Sequence, residues 1–509
     1  MKIDTPALSF TADSLSYPLR TYRTLATNDP NGAQWWTTAT DMDAAWSIGA
    51  GAQPTTVAII DTGFALQHEE FSGRWAINSG EQGTTSSESA SRLNCTDQSV
   101  ALNRSCNLID DNYDGIMDNE SGVTTLQNPS RRNCTDQEKP LDKACNLIDD
   151  DSNGYSDDVT GWDFANNDAN VQAGEVDPGG SGTTHGTRTT GILAATGNNG
   201  KGIAGVNWTA KILPLQAIDD LGYGNTLTVA RAVYYAADQN VDVISISLGA
   251  DEEDPYLRQA VQYALNKGSI VVAASGNDGC DCLVYPARYP EVFAVGSQNA
   301  ANQPSSFSNY GTNLDILAPG EDMRAPTWTQ ANPTAAYVSG ISGTSFATPY
   351  VSGLLALARS HHPDASWGDL QNTLLATASH TGLSAAAPTA PKLGSGYARA
   401  GSYLSRIITP AQPGMRYLLG PLARLTTLGS DAAYDCKPEN GFPTAPLYKI
   451  TESGTTFYST DILASLDAVE NGGTSTFITR VCATLPGDSP QTTRTINLLT
   501  EIDTLSSKQ

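Results

Sequence analysis

The chain has 509 residues, too many for one ordinary hydrophobic core, so a large unit and a smaller one are expected. Its 54 acidic and 29 basic residues give a formal net charge of -25, which repels a phosphate backbone or an anionic membrane, so no nucleic-acid partner is expected. Nowhere do about twenty apolar residues run together, and no membrane span is expected.

Residues 1–27 are polar and irregular. Met1-Lys2-Ile3-Asp4-Thr5-Pro6 lacks the apolar stretch of an export signal, so a signal peptide is expected to have been removed or to precede this chain. After Trp35-Trp36 a short helix is expected from Asp41 to Ile48. Thr56-Val57-Ala58-Ile59-Ile60, ending at Asp61-Thr62-Gly63, reads as a strand covered on both faces. Similar runs at Val241–Leu248, Ser269–Ala274 and Val292–Val295 alternate with helical periods at Thr228–Asp238 and Tyr256–Asn266. The alternation predicts an α/β fold with a mostly parallel sheet flanked by helices, in which ligands bind at the carboxyl ends of strands. Asp61 and Asn277 stand at such ends.

Residues 75–170 interrupt the pattern with an Asp/Asn/Ser-rich insertion that contains a duplication. Asn94-Cys95-Thr96-Asp97-Gln98 recurs as Asn133-Cys134-Thr135-Asp136-Gln137, and Cys106-Asn107-Leu108-Ile109-Asp110-Asp111 as Cys145-Asn146-Leu147-Ile148-Asp149-Asp150. Each copy ends in a loop with oxygen ligands at positions 1, 3, 5 and 9, a glycine at 6 and a carbonyl at 7, the pattern of calcium loops. The ligands are Asp110, Asn112, Asp114, Ile116 and Asp118 in the first loop, and Asp149, Asp151, Asn153, Tyr155 and Asp157 in the second. Position 12 is Ser121 or Thr160 instead of glutamate, so another carboxylate or water must complete the shell; an acidic solvated turn is the plainer alternative.

Eight cysteines form two pairs of equal spacing (Cys95 with Cys106, Cys134 with Cys145), a close pair (Cys280 with Cys282) and a distant one (Cys436 with Cys482). The even count reads as disulfides made in an oxidising compartment, with free or metal-bound thiols as the alternative. An apolar helix is expected from Ala347 to Arg359 and an amphipathic one from Ser366 to Thr377. A linker at Thr409 to Gly414 then leads to residues rich in threonine, tyrosine and aliphatics, read as a β-rich domain over 406–509, with the large domain at 28–405 and residues 1–27 as a propeptide remnant.

A serine nucleophile needs a base, a carboxylate to orient that base, and donors for an oxyanion. Asp61 in Val57-Ala58-Ile59-Ile60-Asp61-Thr62-Gly63, His185 in Thr183-Thr184-His185-Gly186-Thr187 and Ser345 in Ser342-Gly343-Thr344-Ser345-Phe346-Ala347-Thr348-Pro349 offer one candidate each. Asp-Thr-Gly also marks aspartic peptidases, which use two such loops, but the tripeptide occurs once here. These motifs, in this order, closely resemble those of the subtilase family over roughly residues 28–405. The resemblance implies a serine endopeptidase with Asp61, His185 and Ser345 as triad and the Asn277 amide as oxyanion donor. It further implies Gly222-Tyr223-Gly224 and Ser247-Leu248-Gly249 as the two substrate-binding edges, and Ala274-Ser275-Gly276 as the wall of the pocket before the scissile bond.

The second acidic loop is similar to a calcium loop of many subtilases, so two or more structural calcium ions are expected. Protein or peptide substrates, a secreted location and a monomeric state complete the expectation. Three residues depart from the family pattern: Arg188, Tyr350, and Phe346 where methionine is common. The rival reading is a calcium-stapled adhesion protein on an inactive peptidase scaffold.

Overall fold

A computed structural model of the chain describes residues 28–29, 34–85, 141–146, 148–173, 184–219, 222–329, 331–380 and 392–408, with backbone segments at 102–103, 123–124, 444–452, 455–459 and 474–482. The chain enters through two short helices, α1 (Trp35–Ala39) and α2 (Met42–Ile48), and then forms strand β1 (Thr56–Asp61). Strand β2 (Trp162–Asp163) follows the insertion. Next come α3 (His185–Ala194), β3 (Lys211–Gln216), α4 (Thr226–Asp238), β4 (Val243–Ile246), α5 (Pro255–Asn266), β5 (Ile270–Ala274), β6 (Phe293–Gln298) and β7 (Ile316–Pro319). A hairpin of β8 (Met323–Thr329) and β9 (Asn332–Ile341) precedes α6 (Thr344–His361), α7 (Trp367–Ala376) and α8 (Ala400–Ile408).

Seven strands make one sheet in the order β7-β6-β5-β4-β1-β3-β2, with every neighbouring pair parallel. The apolar runs have the two-sided burial that such a sheet requires. Val57 and Ile59 of β1 join a core with Trp36, Met42, Ile192, Tyr350 and Leu354, on the face covered by α3 and α6. Ala58 and Ile60 face the other way, into a core with Val233 of α4 and Val261 of α5. Successive residues of a strand point to opposite faces, so one five-residue run anchors both layers.

Helix starts follow local chemistry. Asn225 caps α4 by accepting from the amides of Leu227 and Thr228, while Thr228 Oγ1 accepts from the Asn225 amide, a reciprocal capping box. Asp254 caps α5 through the Tyr256 amide, with Pro255 in the first turn, where its missing N–H costs nothing. The strands at residues 444–452, 455–459 and 474–482 form a separate three-stranded antiparallel sheet, with the first in the middle.

Candidate active site

Strand β1 ends at Asp61, β4 runs out at Ser247, and β5 runs out at the bend that carries Asn277, so these three groups collect at the carboxyl edge of the sheet. His185 opens α3 and Ser345 lies in the first turn of α6, both on the same face.

Asp61 is fully buried. Its Oδ1 accepts from His185 Nδ1 at 2.7 Å and from the Thr62 amide at 2.7 Å, and the Thr189 hydroxyl lies 3.0 Å from its Oδ2. An ionised carboxylate only accepts, so Nδ1 carries the proton and Nε2 is left as an acceptor. Nε2 lies 2.9 Å from Ser345 Oγ. Such a relay can draw the proton from a serine hydroxyl and hold the resulting imidazolium against a buried carboxylate. Phe346 packs its ring 5.3 Å from that of His185 and closes one side of the site.

Asn277 is exposed at the bend after β5. Its Oδ1 accepts from the amide and the hydroxyl of Thr344, each at 2.9 Å, which fixes which end of the side-chain amide points outward. The Ala274-Ser275-Gly276 segment is tied to its surroundings: Ser275 N–H bonds the Val295 carbonyl, Ser275 Oγ bonds the Asn309 carbonyl, and Gly276 N–H bonds Thr344 Oγ1. Gly276 has φ +107, and a Cβ there would stand 2.2 Å from Asn309 Nδ2, so only glycine fits. Ser247-Leu248-Gly249 continues beyond β4, and Ser247 Oγ donates to the Ser345 carbonyl at 2.8 Å. Gly222-Tyr223-Gly224 forms an exposed loop in which the Tyr223 ring is 72% exposed, unusual for an aromatic and available to a ligand.

Of the acidic loops, Asp110, Asn112, Asp114, Ile116 and Asp118 lie outside the described residues. In the second loop, Asp149 accepts from the amides of Asn153 and Gly154, and Asn153 Oδ1 from the amide of Tyr155. The Tyr155 ring packs edge-on against Trp162, Phe164 and Tyr235. Asp157 is buried with φ 59. Among the described residues Asp151 gathers with two carboxylates that the loop pattern did not supply, Glu81 and Asp158, with ligand atoms within 4.8 Å of one another. Glu81 is buried; its Oε1 accepts from the amides of Asp150 and Asp151, while Oε2 has no partner. Burial, with Asp158 and Asp150 adding repulsion, pushes the Glu81 carboxyl up to about 7. Burial also raises Asp158. Three carboxylates this close together, one of them with an orphaned oxygen, fit a hard divalent cation. A second cluster, Asp278 with Cys280 and Cys282, has its two sulfurs joined in a disulfide. The side chains of Cys95, Cys106, Cys134, Cys145, Cys436 and Cys482 lie outside the described residues.

Arg188 sits half-buried on α3 with its Nε 3.4 Å from Thr327 Oγ1, and burial lowers its pKa. Tyr350 is fully buried, donates to Thr40 Oγ1 at 2.7 Å and meets Trp36 edge-on, so this departure is a core contact between α6 and α1. No helix among the described residues is long and apolar enough to cross a membrane.

A parallel sheet flanked by helices, with a carboxylate, an imidazole and a hydroxyl in hydrogen-bonded series at its carboxyl edge, defines a class of protein able to activate serine. The model of the Subtilase family (peptidase S8) matches residues 52–400. The chain belongs to the Subtilase family, whose members are subtilisin-type serine endopeptidases. It is 44% identical over 207 residues to thermitase of Thermoactinomyces vulgaris, covering 40% of this chain and 69% of that protein. It is 35% identical over 235 residues to subtilisin amylosacchariticus of Bacillus subtilis subsp. amylosacchariticus, covering 44% of this chain and 60% of that protein. The fold is similar to that of a protease from Pseudoalteromonas arctica, with a TM-score of 0.51 and 21% identity over 75% of this chain and 99% of the other.

Proposed function

We propose that the chain is a secreted, calcium-stabilised endopeptidase that cleaves peptide bonds of proteins or peptides through an acyl-enzyme on Ser345. The observation that carries this reading is the continuous series Asp61 Oδ1, His185 Nδ1, His185 Nε2, Ser345 Oγ, with links of 2.7 and 2.9 Å. His185 takes the Ser345 proton as the oxygen attacks the carbonyl and returns it to the leaving amine; Asp61 holds the ring's tautomer. The oxyanion forms beside the Asn277 amide, turned outward because Thr344 occupies its oxygen, and beside the Ser345 N–H at the start of α6. Gly222-Tyr223-Gly224 and Ser247-Leu248-Gly249 are the edges on which an extended substrate is laid as an added strand, with Ala274-Ser275-Gly276 walling the next pocket.

Calcium is assigned to Glu81, Asp151 and Asp158, where the bound cation would neutralise three crowded carboxylates and join the insertion to α4 through the Tyr235 hydroxyl, which donates to Asp158 at 2.5 Å. The 28–405 segment is the catalytic domain and 406–509 a β-rich appendage. The test is labelling with a fluorophosphonate probe and mapping of the modified peptide. A label on Ser345 that is lost in His185→Ala supports the reading; an unlabelled, folded protein would favour the inactive adhesion scaffold.

A further inference from the structure

The bend that presents Asn277 has few interior contacts of its own, since Asn277 and Asp278 are both exposed. Thr344 holds the Asn277 oxygen, and the backbone on either side of Asn277 is held from beneath. One fully buried side chain beneath it, Asn309, uses all of its hydrogen-bonding capacity on this segment. Asn309 Oδ1 accepts from the amides of Asp278 at 2.7 Å and Cys280 at 3.4 Å. Asn309 Nδ2 donates to the Cys282 carbonyl at 3.0 Å and to Asp278 Oδ2 at 3.2 Å. The Asn309 backbone amide donates to the Gly276 carbonyl at 2.9 Å, and the next amide, Tyr310, to the Cys280 carbonyl at 2.9 Å. Asn277 is therefore flanked on both sides by residues bound to Asn309.

The far end of the segment is closed by the Cys280–Cys282 disulfide, with Cα atoms 5.2 Å apart. Asp281, between the two, is ion-paired to Lys392. The bridge keeps the Cys280 amide and the Cys282 carbonyl together on one side of a tight turn, where a single asparagine side chain can serve both. Without it, the Cys280 carbonyl keeps its bond from the Tyr310 amide and Asp281 its ion pair with Lys392, but the covalent tie between the two groups that Asn309 serves is gone.

We propose that Asn309 and the Cys280–Cys282 bridge act together as a positioning device for the Asn277 amide. Neither touches the reacting atoms; they set where the amide stands, and the inference rests on Asn277 being the oxyanion donor. An error on the order of 1 Å in a catalytic group can cost up to about a hundredfold in rate, and oxyanion donors act on kcat more than on KM.

A double-mutant cycle in the full chain separates this role from a general structural one. Cys280→Ser/Cys282→Ser is introduced into the parent and into Asn277→Ala, and kcat and KM are measured on one peptide substrate. The expected result is about a tenfold fall in kcat in the parent, with KM changed less than about threefold, and less than about a twofold fall in the Asn277→Ala background. Equal falls in both backgrounds, or no fall in the parent, would overturn the proposal. Asn309→Ala is put through the same cycle, and because it empties a buried site, the cysteine pair, on part-exposed residues, decides the outcome if that variant does not fold. An Asn277→Ala enzyme with undiminished kcat would instead remove the oxyanion assignment itself, and with it the premise.

Discussion

Ser247 donates its hydroxyl to the backbone carbonyl of Ser345, 98 residues away, at 2.8 Å. The helix leaves that carbonyl without a donor of its own: Pro349 lies inside α6 four residues after Ser345 and has no N–H to give it. A side chain from the end of β4 thus completes the helix turn that carries Ser345. Ser247→Ala leaves a buried carbonyl unsatisfied, and a loss of about 1–3 kcal/mol of stability is expected. In a Pro349→Ala background the helix supplies its own donor, so the same substitution should cost less. Urea denaturation of the four proteins measures the difference; equal losses would refute the link.

Removing the proposed nucleophile deletes one hydroxyl from a site otherwise held by α3, α6 and the sheet. Ser345→Ala is expected to melt within a few degrees of the parent and to lose about 10⁴–10⁶ in kcat. Retention of more than about a tenth of the activity would remove Ser345 from its role.

The carboxylates Glu81, Asp151 and Asp158 give a pH-dependent stability with a definite sign. The folded Glu81 carboxyl titrates near 7, above its ordinary value of 4.5, so the folded state holds the proton more tightly than the unfolded one. In chelator, that contribution is complete below about 4.5 and is lost as pH rises through about 7. The proposed calcium would bind the ionised site, so the increase in Tm on adding calcium should grow across the same window. Thermal melts with and without EDTA from pH 5 to 8, repeated on Glu81→Gln, provide the check. A calcium increment independent of pH, or unchanged in Glu81→Gln, would assign the cation elsewhere.

Phe346 stands against the His185 imidazole, 5.3 Å between ring centroids, and is buried. A thioether at that position would turn on oxidation into a polar sulfoxide beside the developing oxyanion. The chain's own Met42 and Met323 are fully buried in the core. Activity should therefore outlast a peroxide treatment that inactivates Phe346→Met. Residual activity over time in the same buffer is the measurement, and identical decay of both proteins contradicts it.

The strands with uninterrupted apolar runs were legible: 56–60 became Thr56–Asp61, and the helical period at 256–266 became Pro255–Asn266. Strand Lys211–Gln216 was not, because Pro214 breaks the pattern of a strand that runs beside β1. Its neighbour on the other side, Trp162–Asp163, pairs only with Leu215 and Gln216, so Pro214 faces no ladder partner there and its missing N–H is tolerated. The hairpin of β8 and β9 was hidden in the same way by Pro326 and Pro333. The three motif residues were readable because each sits in a short local signature. The carboxylate cluster was half readable: Asp151 belongs to a loop pattern, but Glu81 joins it from 70 residues away with no local mark, and Asp149 of the same loop spends its oxygens on backbone amides. Tyr155 kept its place in the loop while its ring went to an aromatic cluster that spacing alone does not reveal.

Residues 61, 185 and 345 supply the site in that order, and the long helix behind Ser345 also fills one face of the sheet. Chains are made from the amino end, and a parallel sheet of distant partners folds late and slowly. A ribosome that has finished Asp61 and His185 has still not made Ser345, nor the long helix that packs on that face. On the proposed mechanism the nascent chain, itself a string of peptide bonds, has until then no Ser345 with which to cut its own length. Because α6 supplies both a large part of that core and Ser345, a chain that has not made this helix lacks the cover of that face and the proposed attacking group alike.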